Sequence, residues 1–66
     1  MAFGDNLRAL REQHGYSQTE LSKMVGISQV ALAMYEIGSR APTVFVALKL
    51  AKILGTTVEE LATAKE

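Results

Sequence analysis

Side chains capable of covalent or proton-transfer chemistry are scarce in this chain: it has one histidine, His14, no cysteine and no cluster of carboxylates. A nucleophile with its base, or a metal ion with its ligands, has nothing to be built from, so an enzyme is not expected and no metal or cofactor is called for. His14 reads as a residue at the C-terminal end of a helix. What the sequence carries at regular spacing is hydrogen-bonding chemistry. Ser17, Ser28, Thr43 and Thr57 each stand just ahead of an apolar periodic run, and Glu20 and Glu60 follow Ser17 and Thr57 at the third position. A hydroxyl so placed accepts from an unpaired amide of a helix start, and the carboxylate accepts the amide of the capping residue in return. Ser17 with Glu20, and Thr57 with Glu60, therefore read as capping boxes.

Those caps say where helices must begin. The stretch SQTELSKMVGISQVALAMYE, from Ser17 to Glu36, divides into two short helices at Gly26, where a positive φ can stop the first, and Ser28 caps the second. The turn between them is about three or four residues, as a helix-turn-helix requires. Leu21, Met24 and Val25 form an apolar stripe on the first of these helices, Ile27 sits in the turn, and Leu32 and Tyr35 continue the stripe on the second. Upstream, Phe3, Leu7 and Leu10 predict a helix ending before Gly15, and Tyr16 is placed to staple onto Leu21. Downstream, Gly38 and Pro42 mark a loop over residues 37–42. Thr43 then caps a fourth helix, ending at Gly55, whose apolar face is Val44, Ala47, Leu48, Leu50, Ala51 and Leu54. A short fifth helix carries Val58, Leu61 and Ala62, and the residues after Ala62 are expected to fray. Only the VFV start of the fourth helix hints at strand, so the fold class is all-α, a compact bundle of five helices.

The chain has 66 residues, enough for one domain, with an ordered core expected over about residues 3–62. A chain of this size buries only roughly 60% of its unfolded surface and has little room for an enclosed substrate cavity. No apolar run approaches the roughly 20 residues that cross a bilayer, no membrane partner is implied, and the expected location is cytoplasmic. Seven Lys and Arg balance seven Asp and Glu. Taken alone, that balance argues against electrostatically driven nucleic-acid binding. The distribution changes the picture, because residues 1–58 hold six bases and four acids, a body of +2.

LRALREQHGYSQTEL, then VGIS, then the Tyr35–Glu36 pair with Gly38 and Pro42, then ALKLAKILG and VEEL occur in the order and spacing of one family. From Phe3 to about Leu61 the chain resembles the Cro and C1-type repressors, the lambda-repressor-like helix-turn-helix domains. The resemblance implies a five-helix domain that binds operator DNA as a homodimer, with the third helix in the major groove. It implies that Gln18 anchors to phosphate and buttresses Gln29, and that Gln29 reads a base. An amide can meet adenine N6 and N7 in bidentate fashion. Ser17 and the amides opening helix two would meet phosphate at a positive helix end, unless Ser17 is simply a cap and Gln18 an exposed helix residue. Ser28 opens the reading helix. Arg11 and Glu36 match a salt bridge joining helix one to the end of helix three. Arg40 falls where basic residues touch the DNA backbone, or is solvated, and Thr43 caps helix four, touches phosphate, or does both. Dimer contacts are implied around Thr56, Val58, Glu60 and Leu61, although Val58 and Leu61 could equally close the core.

The sequence departs from the family pattern where helix three should be polar outward. Val30, Ala33, Met34 and Ile37 form a second apolar stripe there. They read thymine methyl groups of an A·T-rich operator, or they face a protein partner, or the register is shifted and some of them are core. Phe45 and Val46 add apolar surface near the start of helix four. Ser22 stands where the family commonly has alanine. The predicted function is sequence-specific double-stranded DNA binding as a transcriptional regulator, most simply a repressor on a palindromic operator. The alternative is a protein-interaction module that uses the apolar face of helix three.

Overall fold

Each helix start coincides with a hydroxyl, or lies at the N-terminal end of the chain. The computed structural model describes residues 2–63, which fold as α1 (Ala2–Gln13), α2 (Gln18–Val25), α3 (Gln29–Ile37), α4 (Val44–Ile53) and α5 (Val58–Ala62), with no strand among them. The expected fraying after Ala62 lies, from residue 64 onward, outside the described residues. At Ser17 both halves of the capping box form: the Glu20 amide donates to Ser17 Oγ over 3.0 Å and the Ser17 amide donates to Glu20 Oε1 over 2.8 Å. Ser28 accepts from the Ala31 amide and Thr43 from the Val46 amide. The second box is incomplete. The Glu60 amide reaches Thr57 Oγ1 at 3.0 Å, but the Glu60 carboxylate turns to the Thr56 hydroxyl, which donates to it over 2.6 Å. A hydroxyl one residue upstream offered the carboxylate a stronger charge-assisted partner than the backbone amide.

Between α2 and α3 only Gly26, Ile27 and Ser28 intervene. Gly26 adopts φ 89°, and its amide and that of Ile27 both donate to the Ser22 carbonyl, closing α2 while the chain reverses. Ile37 belongs to α3 and not to the following loop.

The core is a leucine cluster drawn from every helix: Leu7, Leu21, Leu32, Leu50, Leu54 and Leu61 are all but sealed from solvent, with Val25, Tyr35 and Ala51 beside them. At roughly 1.5–3 kcal/mol for each large apolar side chain, this cluster opposes the chain entropy that folding gives up. Three expected core members lie outside it. Met24 is 49% exposed, and Val44 and Leu48 are 61% and 54% exposed. The buried set on α4 is Ala47, Leu50, Ala51 and, just past its end, Leu54. Leu48 lies about 100° round the helix from Ala47, while Val44 occupies the first turn, beside a surface groove. Val46, expected on the surface, is half-buried against the core, whereas Phe45 is exposed as expected. Ser22 is buried, and its hydroxyl is satisfied by the Thr19 carbonyl at 2.9 Å.

Gly4 sets how closely α1 approaches the end of α3. A Cβ there would stand 2.7 Å from the Tyr35 carbonyl oxygen and closer still to that of Glu36. Both obstacles are backbone, which cannot swing aside as a flexible side chain could. Gly4→Ala is therefore expected to cost about 1–3 kcal/mol of stability despite alanine's better helix propensity. Urea unfolding of the two proteins measures it, and a stabilised variant would show that the approach is not tight.

Candidate nucleic-acid interface

The two sides of α3 differ. Leu32, Tyr35 and Glu36 are buried, whereas Gln29, Val30 and Ile37 are exposed, Val30 by 63% and Ile37 by 77%. Ala33 and Met34 are half-buried. The register follows the core stripe of Leu32 and Tyr35, so Val30 and Ile37 are surface residues, with Ala33 and Met34 at its margin. The first turn of α3 thus presents an amide and a branched apolar side chain next to each other.

Gln29 is held. Its Nε2 donates to Gln18 Oε1 over 2.7 Å, and Gln18 Nε2 donates to Glu36 Oε1 over 3.0 Å. Glu36 is gripped from its other side by Arg11, Nε to Oε2 at 2.6 Å and Nη2 to Oε1 at 3.2 Å, in the bidentate fork of a strong charge-assisted pair. Arg11 Nη1 donates to the Tyr16 carbonyl at 2.9 Å. The ion pair is buried, with side-chain exposures of 11% for Arg11 and 3% for Glu36. The hydrogen bond to Glu36 raises the Arg11 pKa above the usual arginine range, against burial, which lowers it. A cation whose folded pKa is raised contributes its stabilisation in full below the unfolded value and loses it only as pH climbs through the folded one. For an arginine that window is strongly alkaline, so the pair is intact throughout the neutral range.

Around this chain of hydrogen bonds lie the remaining residues expected to meet DNA. With the Ser17 and Glu20 amides engaged in the capping box, the amides of Gln18 and Thr19 are the open donors at the start of α2. Ser28, Arg40 and Thr43 are exposed, and the hydroxyls of Ser28 and Thr43 already serve as caps. Arg8 pairs with Glu12 on the surface, while Lys23, Arg40, Lys49 and Lys52 form no ion pair among the described residues. Of the residues expected at a dimer surface, Thr56 and Glu60 are bonded to each other near the surface and Val58 is half-buried. Leu61 is at 0% exposure, wholly in the core, because α5 needs its largest side chain to seal the bundle.

Three positioning residues have no local sequence signal. Asn6 Nδ2 donates to the carbonyls of Leu61 at 2.8 Å and Thr63 at 2.6 Å, capping the C-terminal end of α5 from α1. His14 Nε2 donates to the Leu54 carbonyl over 3.0 Å, and its ring stacks on Tyr16 with centroids 5.6 Å apart. Gly4 is the third. The partners of Asn6 and His14 lie 40 or more residues away, beyond the reach of periodicity or capping rules.

A bundle of five helices, four of them capped by hydroxyls, whose second and third are joined by a three-residue turn, with an amide-led outer face on the third, defines a helix-turn-helix domain. The helix-turn-helix family model matches residues 7–61, and the chain belongs to that family in its Cro and C1-type, lambda-repressor-like form, a family of regulator domains and not of enzymes. The chain is similar to the P22 c2 repressor, solved in complex with synthetic operator 9T, with TM-score 0.92 and 31% identity over 98% of each chain. It is similar to the restriction-modification controller protein C.AhdI of Aeromonas hydrophila, with TM-score 0.84 and 35% identity over 91% of each chain. Among sequences, it is 40% identical over 60 residues to the uncharacterized HTH-type transcriptional regulator y4dJ of Sinorhizobium fredii, covering 91% of this chain and 78% of that one. A protein of Pyrococcus horikoshii named for a helix-turn-helix-type transcriptional regulatory role is 48% identical over 50 residues, covering 76% of this chain. The chain spans only 16% of that relative's length. No described helix is long and apolar enough to cross a membrane.

Proposed function

We propose that this chain binds double-stranded DNA in a sequence-specific manner, as a homodimer on a palindromic operator, and represses transcription by occluding polymerase. The observation that carries this reading is Gln29. It is exposed at the first turn of α3, with one amide hydrogen committed to Gln18, while its second hydrogen and its carbonyl oxygen have no partner among the described residues. That leaves one donor and one acceptor, the set that adenine N7 and N6 require. In this reading Val30, Ala33 and Met34 lie against the edges of neighbouring bases. Ser17, Gln18, Ser28, Arg40 and Thr43 contact phosphates, which set position without reading sequence. Thr56, Val58 and Glu60 form the surface by which a second copy docks. Two copies would place their reading helices in half-sites roughly 34–36 Å apart. The likeness to the P22 c2 repressor, solved on an operator, supports the reading.

Selection from a pool of random duplexes, at low and at moderate salt, tests it. The expected product is a palindrome with A·T pairs in each half and half-sites about 10–10.5 base pairs apart. With few free cations on the body, affinity should fall less steeply with salt than for a strongly basic regulator. Failure to enrich a palindrome at either salt would overturn the proposal.

A further inference from the structure

The hydrogen bonds leading to Gln29 have a direction, and that direction begins inside the protein. A carboxylate only accepts, a guanidinium only donates, and an amide does both from opposite sides of one plane. Facing Glu36, Gln18 must present its NH2 group, as it does at 3.0 Å. Its carbonyl oxygen then faces Gln29, and Gln29 must answer with its own NH2 group, as it does at 2.7 Å. Every link is forced by the one before it. The remaining hydrogen and the carbonyl oxygen of Gln29 consequently stand in one fixed order on the surface of α3. Turning that amide over would exchange donor and acceptor and mismatch both atoms of an adenine edge.

We propose that the buried Arg11–Glu36 pair, besides joining α1 to α3, is a specificity device: through Gln18 it dictates which way round Gln29 presents its amide to a base. The inference rests on the base-reading role given to Gln29 above. Arg11, Glu36 and Gln18 act as positioning residues, and none of them needs to touch a base. Arg11 is essential to the direction, because its fork holds Glu36 in place with both oxygens engaged. A neutral amide at position 36 could keep its oxygen on Arg11 while turning its nitrogen toward Gln18. That would reverse Gln18, and with it Gln29.

The test uses Glu36→Gln, Gln18→Met and Gln29→Ala. Gln18→Met cuts the relay while leaving the ion pair whole, so it carries the test if Glu36→Gln does not fold. In DNA-free, nitrogen-15-labelled protein, one side-chain amide proton of Gln29 is expected to be shifted and slow to exchange. Gln18→Met should abolish that signature and Glu36→Gln should split or broaden it, with backbone resonances still dispersed. On a selected operator, both variants are expected to lose about tenfold in preference for adenine at the Gln29 position; affinity for unrelated duplex should be nearly unchanged for Glu36→Gln and uniformly lower for Gln18→Met, which also gives up a phosphate contact. A purely structural role would lower affinity for all sequences alike and leave the Gln29 proton as in the parent. Folded variants that keep the parental Gln29 signal or the parental adenine preference, where Gln29→Ala loses it, overturn the relay alone. If Gln29→Ala changes no base preference, the base-reading role falls and takes the relay with it.

Discussion

Replacing Glu36 with alanine is expected to lower the thermal midpoint by on the order of 20 °C, and replacing Arg11 and Glu36 together with methionine is expected to recover much of that loss. The single change leaves the Arg11 guanidinium with 11% of its side-chain surface exposed and without the two oxygens that its Nε and Nη2 now reach. Only the bond from Nη1 to the Tyr16 carbonyl would survive, together with a 4.0 Å approach to the exposed Glu12. Stranding a buried charge in this way costs roughly 3–5 kcal/mol. A domain of this size holds roughly 3–10 kcal/mol in total, so a large share of the molecules would unfold near body temperature. The double change removes the desolvated charges along with their attraction, and two flexible thioethers can fill the space. Melts followed by circular dichroism decide between these outcomes. A double variant no more stable than the single one would mean that the cost lies in lost packing and not in a stranded cation.

How far the sequence disclosed this molecule depends on how local each cause is. Ser17, Ser28, Thr43 and Thr57 each act on an amide three residues away. Four helix starts were therefore legible without knowing the fold, and Gly26 showed where α2 had to stop. Periodicity gave the apolar faces but not their limits. Met24, Val44 and Leu48 satisfy the helical pattern and are still exposed, because the neighbouring helix decides which part of a face is covered. Gly4 was silent, since its role is set by two carbonyls of α3 that meet it only in the folded chain. The site divides in the same way. The outward stripe of Val30 and Ile37 could be seen in the sequence, with its register open until the core was known. The pairing of Arg11 with Glu36, 25 residues on, came from family likeness alone, and the link from Glu36 through Gln18 to Gln29 needed coordinates.

The second large effect concerns DNA. Val30→Gln is expected to weaken binding to a selected operator by about 1–3 kcal/mol per half-site, roughly thirtyfold to ten-thousandfold for a two-fold complex. Val30 is 63% exposed, so the fold should hardly notice: exposed substitutions of this kind change stability by no more than about 0.5 kcal/mol. The loss would come from replacing a branched apolar contact with an amide that cannot fill the space against a methyl group and must shed water to enter it. Uncharged and apolar, Val30 should contribute little to the salt dependence, so the loss should be similar at low and moderate salt.

The most direct measurement compares the affinity of the parent protein for the selected duplex with that for the same duplex carrying deoxyuridine in place of the thymines facing α3. Deoxyuridine removes a methyl group and leaves every hydrogen-bonding atom in place. If the outer face of α3 reads bases through Val30 beside Gln29, the parent should lose about fourfold for each methyl group contacted, and Val30→Gln should discriminate between the two duplexes less than the parent does. Equal affinity of the parent for both duplexes, or undiminished discrimination by the variant, would contradict the account.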